Sequence, residues 1–197
     1  MRFIRNVDWE EVFNGWRSRE AWNPGWVECA TKVKGWPDWE SWRRHTASQM
    51  RAAERDWKVY GLDDPMREVP EMLVGPYSGW QDRVVQAGAE RNRTTFADFL
   101  DSGEQRDFFS GHDGVRKIMG GLPFATEFIG LIRGDTGQVV CIDGNHRATA
   151  ISLTAKLGRP VDFTGIPVTF ALTEMSVEGC REMDSILERG TSRSPKP

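Results

Sequence analysis

The stretch at residues 139–150 constrains the fold most, because a glycine turn in it joins a short apolar run to a helical pattern. Residues 139–142 read Val-Val-Cys-Ile, which is typical of a buried strand and too short for a helix. Ala148, Ile151 and Ala155 then recur at helical spacing. The sequence therefore predicts a strand, a tight turn and a helix, in that order.

The turn itself reads Asp143-Gly144-Asn145-His146-Arg147 and predicts an anion site. Main-chain N–H groups at the start of a helix lack partners, and the positive end of the helix dipole adds to their pull on a phosphate. Arg147 can grip phosphate oxygens with two donors, His146 can donate or move a proton, and Asp143 can hold Mg²⁺. In the structural alternative, Asp143 caps the helix, His146 packs against the turn and Arg147 is solvated.

Length and composition narrow the class of protein. A chain of 197 residues with 39% hydrophobic and 28% charged residues can bury one core. No apolar run is long enough to cross a bilayer, and the first ten residues become acidic before a signal-peptide core could form, so we expect a cytoplasmic protein.

The cysteine pattern and the net charge exclude further classes. Three cysteines without Cys-x-x-Cys spacing argue against a disulfide scaffold and against structural zinc. A net charge of −3 disfavours non-specific binding to nucleic acid, although a local basic patch stays possible.

Tryptophans crowd the amino-terminal third, where eight of the nine lie. Asp8 and Asp38 are placed to cap two helices, and the second helix carries a stripe that starts at Trp39 and Trp42 and runs to Trp57. Such a stripe usually belongs to a core, although its indoles could also stack on bases or line a cofactor cleft. We expect residues 1–62 to form a Trp-rich helical cap on the following domain.

The remainder predicts an α+β domain at residues 63–190 and a disordered tail at residues 191–197. A surface helix or loop insertion is expected at residues 80–93, and Thr95 can cap a short helix. Gly134 and Gly137 predict a hairpin turn between two antiparallel strands. Strands are expected at residues 67–74, 124–132, 139–142 and 166–172, and helices at residues 113–119 and 176–187.

This order of elements, with the Asp143–Arg147 turn between a strand and a helix, resembles the ParB/sulfiredoxin-like fold over roughly residues 67–172. The resemblance implies a small mixed sheet with surrounding helices. Sulfiredoxins carry a reactive cysteine between the glycine and His-Arg, but Asn145 stands there, so their thiol chemistry is not expected. Chromosome-partitioning members bind CTP and continue into a helix-turn-helix domain, for which residues 173–197 are too few.

The branch of the family that phosphorylates free serine is the nearest functional analogy. Its members use an Asp-x-x-His pair at this helix start and an upstream glutamate. Asp143 and His146 match that pair, and Glu71 is the nearest candidate for the glutamate. Other relatives are nucleases or ATPases.

We therefore expect a nucleotide-binding enzyme that transfers or hydrolyses a phosphoryl group with Mg²⁺ and ATP, ADP or CTP. Asp143, His146 and Glu71 are the predicted catalytic residues, and Asp143 is the predicted metal ligand. Gly144, Asn145, His146 and Arg147 are the predicted cofactor-binding residues. One alternative is a nucleic-acid-associated nuclease or regulator, and another is a catalytically inactive module whose Trp39 and Trp42 dock a partner protein.

Three further residues are weaker candidates. Glu127 could accept a proton, although an outward-facing surface carboxylate is the simpler interpretation. His112 could transfer protons with Asp113, although a capping Asp113 explains that pair better. His45, beside two arginines, could bind anions or could lie on a solvated helix face.

Overall fold

A mixed five-stranded sheet organises the computed structural model, which describes residues 1–188. The strands lie in the order β1-β2-β5-β3-β4, with β3 and β5 parallel and the other neighbours antiparallel. The strands are β1 (Arg2–Val7), β2 (Trp57–Gly61), β3 (Thr126–Arg133), β4 (Val139–Asp143) and β5 (Val168–Met175). The fold is therefore mixed α and β, in agreement with the α+β prediction.

Helices cover both faces of this sheet. They are α1 (Trp9–Glu20), α2 (Pro24–Glu28), α3 (Trp39–Gln49), α4 (Pro65–Glu68), α5 (Ser78–Gln86), α6 (Phe96–Phe99), α7 (Gly103–Gly111), α8 (Asp113–Gly121), α9 (Asn145–Lys156) and α10 (Val177–Glu188). A π-helical turn (Cys29–Val33) follows α2, and a 3₁₀ turn (Ala52–Glu54) precedes β2. No helix within residues 1–188 is long and apolar enough to cross a membrane.

The alternation of side chains along the central strands divides the core into two layers. Ile129 and Leu131 of β3 face the tryptophan layer, which also contains Trp16, Trp39, Trp42 and Trp57. Phe128 of β3 and Cys141 of β4 face the opposite layer, beneath α9. Because both faces are covered, the middle of β3 and most of β4 read as short apolar runs in the sequence.

Several local predictions are confirmed. Asp8 and Asp38 accept hydrogen bonds from the backbone N–H groups of their helices, and so does Thr95. The hairpin between β3 and β4 is antiparallel, with Ile132 opposite Val139. These features depend on residues close together in the chain, which is why the sequence could predict them.

The helical description of residues 1–62 missed two strands. β1 and β2 pair with each other, and β2 pairs with β5, so this segment belongs to the central sheet. The tryptophans of α1 and α3 are core, as expected. Trp39 and Trp42 are each 3% exposed, which leaves neither indole on the surface to dock a partner.

The strand predicted at residues 67–74 is also wrong. α4 and a turn occupy most of it, and within the described chain Leu73 alone makes strand-like bridges, to Thr95 and Val140. The apolar residues of this segment are buried although they lie in a turn. A short run of buried apolar residues resembles a strand in the sequence, whatever its backbone conformation. The predicted tail at residues 191–197 lies outside the described residues.

Candidate functional site

The turn between β4 and α9 depends on Gly144. Gly144 adopts a φ of 107° at the position that precedes the helix. A Cβ atom added there would lie 2.4 Å from Cδ1 of Phe128, so a side chain would meet both backbone strain and a ring. The glycine is therefore required by the turn, and it brings Asp143 and His146 to the two sides of one bend.

Two arginines neutralise Asp143. Its Oδ2 accepts hydrogen bonds from Nη2 of Arg147 at 2.8 Å and from Nη2 of Arg19 at 3.2 Å, and the residue is 4% exposed. Burial raises the pKa of the Asp143 carboxyl, but Arg147, Arg19 and Arg43 together outweigh it and hold the pKa below its usual range. Asp143 is thus an ionised, paired carboxylate.

The same arginines make further bonds that were not predicted. Nη1 of Arg147 donates to Oγ1 of Thr126 at 2.6 Å and to the main-chain oxygen of Glu127 at 2.9 Å. Nη1 of Arg19 donates to Oε1 of Glu127 at 3.0 Å. The guanidinium group of Arg147 is therefore already hydrogen-bonded within the protein. Glu127 lies in the site rather than facing outward.

The side chain of Asn145 has a structural role, which leaves its main-chain N–H for the predicted contact with a cofactor. Its Oδ1 accepts the N–H of Gly75 at 2.8 Å, and its side chain is buried. A Cβ atom on Gly75 would lie 2.4 Å from the main-chain oxygen of Cys141. Asn145 therefore fixes the loop at Gly75 against the end of β4.

His146 lies among partly exposed rings. Its ring centroid is 5.1 Å from that of Trp80, 5.2 Å from that of His112 and 5.9 Å from that of Trp26. Burial, His112 and Arg147 lower the pKa of His146 to about 4, against the opposing effect of Asp143. His146 is therefore neutral near pH 7, with one ring nitrogen as a donor and the other as an acceptor.

The amino terminus of α9 offers main-chain donors. The N–H of Ala148 donates to the Gly144 oxygen at 2.8 Å, whereas no side chain caps the helix. The N–H groups of Asn145, His146 and Arg147 precede that first bond, at the positive end of the helix dipole. This end of α9 therefore has the donors and the field to hold an anion.

Asp143 is the predicted ligand of Mg²⁺, but its surroundings do not fit a protein-bound metal ion. Asp143 is surrounded by the guanidinium groups of Arg19 and Arg147, and Arg43 adds a third positive charge. A divalent cation there would have to displace an arginine from a buried carboxylate. Among the residues whose side chains the structure describes, no group of three or more His, Cys, Asp or Glu could hold a metal ion.

The remaining predicted residues differ in their positions and contacts. Glu71 is exposed in the turn after α4, and its catalytic role stays a prediction. His112, not Asp113, caps α8, because its Nδ1 accepts the N–H of Val115 at 3.3 Å. His45 packs on Trp36 with ring centroids 4.7 Å apart.

A buried ion pair that the sequence did not predict links the tryptophan layer to the site. Oε2 of Glu20 accepts two bonds from Arg43, at 2.6 and 2.9 Å, and one from Nε1 of Trp39 at 2.9 Å. The Arg43 guanidinium lies 3.9 Å from the Trp42 ring centroid and 5.2 Å from that of Trp26. The crowding of tryptophans around an Arg-Arg pair was the one signal in the sequence for this contact.

Comparisons of the chain with protein-family models, with curated proteins and with solved structures gave no match.

Proposed function

We propose that this chain binds a nucleotide, with a phosphate group on the main-chain N–H groups of Asn145, His146 and Arg147. The observation that carries the proposal is the uncapped amino terminus of α9 beside a carboxylate that two arginines have already neutralised. Without those arginines, the negative charge of Asp143 would repel a phosphate on the N–H groups that follow Gly144. With those arginines in place, the helix dipole and the main-chain N–H donors give the site a positive potential, which attracts anions.

The proposal includes a ParB/sulfiredoxin-like fold. In its support, β3, the hairpin, β4, α9 and β5 follow one another as that resemblance implies, and the Asp143–Arg147 turn joins β4 to α9. The segment around Leu73 supplies only isolated bridges where the family resemblance implied a strand. Mg²⁺ enters as the counter-ion of the nucleotide phosphates, not as an ion held by Asp143.

Binding is tested by titration calorimetry with ATP, ADP and CTP, each with Mg²⁺, on the natural protein and on two variants. His146→Glu introduces a carboxylate beside the same N–H groups, where it competes with the phosphate. His146→Gln is the matched neutral control. We expect at least about tenfold weaker binding by the Glu variant than by the Gln variant, since one charge at a helix end is worth about 1 kcal/mol and repulsion of the phosphate adds to it.

Two results would contradict the proposal. One is the absence of binding for all three nucleotides by the natural protein. The other is a His146→Glu variant that binds them as tightly as His146→Gln does, since the phosphate would then lie elsewhere.

Phosphoryl transfer or hydrolysis is the second candidate function, and His146 is the observation that favours it. A neutral imidazole next to the bound phosphate can take the proton of an attacking hydroxyl or water as the oxygen–phosphorus bond forms and the nucleoside diphosphate leaves. The test is release of inorganic phosphate from ATP. Turnover that His146→Gln abolishes would support catalysis, whereas ATP binding without turnover would limit the protein to binding.

A further inference from the structure

Four rings from four separate segments meet at the start of α9. Trp26 comes from α2, Trp80 from α5, His112 from the residue before α8 and His146 from α9 itself. All four side chains are partly exposed, unlike Trp16, Trp39 and Trp42 in the core. We call these four residues the ring cluster. Aromatic rings left partly open to solvent in one place form a surface for another ring.

Neighbours hold the two indoles in place. Trp80 stacks on Phe109 with ring centroids 5.3 Å apart and an angle of 3° between their planes. Trp26 packs against Trp42 at 6.2 Å and against the Arg43 guanidinium at 5.2 Å. Because both rings are fixed before a ligand arrives, little side-chain entropy is lost when one binds.

The ring cluster is continuous with the proposed phosphate site. His146 belongs to both, since its N–H lies in the first turn of α9 and its imidazole contacts Trp26, Trp80 and His112. A ligand that fills both parts must therefore carry an anionic group and a planar ring in the same molecule. A cationic ligand would be disfavoured by Arg147, whose positive charge acts on His146.

We propose that the ring cluster binds the base of the nucleotide, so that residues outside the strand-turn-helix unit determine ligand specificity. This inference rests on the proposed function and adds the residues that would select a base. Stacking on indole suits any base and favours the larger purines. Because Nδ1 of His112 accepts the N–H of Val115, a neutral His112 carries its proton on Nε2 and can donate it to an acceptor on the base.

The inference predicts that the base contributes to affinity, so that the phosphates alone bind more weakly than the whole nucleotide. Tripolyphosphate has the charge of ATP without its base and sugar, so the ratio of the two dissociation constants reports the ring cluster. We expect the natural protein to bind ATP at least about tenfold more tightly than tripolyphosphate, since one stacked base is worth about 1 to 3 kcal/mol.

The test compares ATP with tripolyphosphate in titration calorimetry on the natural protein and on Trp26→Ala, Trp80→Ala and Trp22→Ala. Trp22 is the matched control, because it lies four residues from Trp26 and is 85% exposed. Trp26→Ala and Trp80→Ala should each weaken ATP binding by at least about tenfold and leave tripolyphosphate binding unchanged. Unchanged tripolyphosphate binding also shows that these variants are folded, and Trp22→Ala should bind both ligands normally.

Three outcomes would overturn the inference. If the natural protein binds ATP and tripolyphosphate equally, or if Trp26→Ala and Trp80→Ala bind ATP as tightly as the natural protein does, no base contacts the ring cluster and the proposed phosphate site still stands. If the natural protein binds neither ligand, the proposed function fails, and this inference fails with it.

Discussion

Two clusters of paired charges in this protein differ in how completely their arginines are hydrogen-bonded. Arg133, Asp135 and Asp184 form the hairpin cluster, in which Nε, Nη1 and Nη2 of Arg133 donate four bonds of 2.8 to 2.9 Å and the arginine is 1% exposed. Asp143, Arg19 and Arg147 form the turn cluster. There both arginines share one oxygen of Asp143, and Nε of Arg19 is buried without a partner in the described part of the chain.

We infer from this difference that the hairpin cluster is structural, whereas the turn cluster prepares the proposed phosphate site. The hairpin cluster satisfies every nitrogen of Arg133 and ties β3 and the hairpin turn to α10, so it has nothing to offer a ligand. The turn cluster neutralises a carboxylate beside uncapped N–H groups and a neutral histidine. Ion pairs that prepare a neighbouring site should therefore respond to mutation differently from ion pairs that only join elements.

The largest expected effect is on folding stability when Asp143 is removed. Asp143→Ala leaves two arginines without their buried carboxylate and should lower the free energy of unfolding by about 3 kcal/mol. Asp135→Ala should cost about 1 kcal/mol, because Asp184 still accepts from two nitrogens of Arg133. Urea unfolding followed by tryptophan fluorescence measures both. Equal losses would remove the distinction between the clusters.

The pH dependence of stability should also differ between His146, which lies next to the turn cluster, and the hairpin cluster. The pKa of His146 is about 4 in the folded protein and about 6.5 in an unfolded chain, so between these values the unfolded state binds a proton that the folded state does not. Stability should therefore fall by up to about 3 kcal/mol as the pH drops from about 6.5 to about 4.

The control for that prediction is His146→Gln, whose stability should lack this component. The hairpin cluster titrates elsewhere, because hydrogen bonds from Arg133 and Arg93 hold the pKa of Asp135 below its usual range, so its contribution should be lost only under more acidic conditions. Chemical unfolding of both proteins at a series of pH values measures the difference. Identical profiles for the two proteins would contradict the burial of a neutral His146.

A third comparison concerns the loop that Asn145 holds beside the turn cluster. Gly75→Ala places a Cβ atom 2.4 Å from the Cys141 oxygen and should cost about 1 to 3 kcal/mol, with weaker nucleotide binding because α9 must shift. Gly79→Ala is the matched control, since nothing lies within 4 Å of its added Cβ atom and alanine favours helix. Thermal unfolding and ATP titration of the pair measure both effects. A Gly75→Ala variant as stable as Gly79→Ala would contradict the close packing.

The smallest effect is expected at the rim of the hairpin cluster. Arg93 lies 3.0 Å from Asp135, but its side chain is 36% exposed. Arg93→Ala should therefore change the free energy of unfolding by less than about 1 kcal/mol and leave nucleotide binding unchanged. Urea unfolding and ATP titration check this. A change in ATP affinity would mean that the two clusters are coupled.

The sequence predicted the parts of the fold that depend on neighbours in the chain. The strand, turn and helix at residues 139–150 follow from apolar spacing and from one glycine. Both strands that were missed depend on distant partners. β1 is exposed along nearly its whole length and has no apolar alternation, and the helical stripe appeared to continue to Trp57 although Arg51, with a φ of 50°, ends the helix before it.

The candidate site could be predicted only in part, for the same reason. Asp143, Gly144 and His146 are adjacent in sequence, whereas Arg19 and Glu127 reach them only through the folded sheet. The predicted role of Glu71 depends on a strand at residues 67–74, where the structure has α4 and a turn. The role of Asn145 depends on Gly75, seventy residues away in the chain.

The central claim is that the first N–H groups of α9 hold the phosphate of a nucleotide. Titration of ¹⁵N-labelled protein with ATP, followed by backbone amide chemical shifts, tests it most directly. The largest shift changes should fall on the amides of Asn145, His146 and Arg147, while those of Arg133 and Asp135 stay in place. Saturable binding with the largest changes elsewhere, or no changes at all, would contradict the claim.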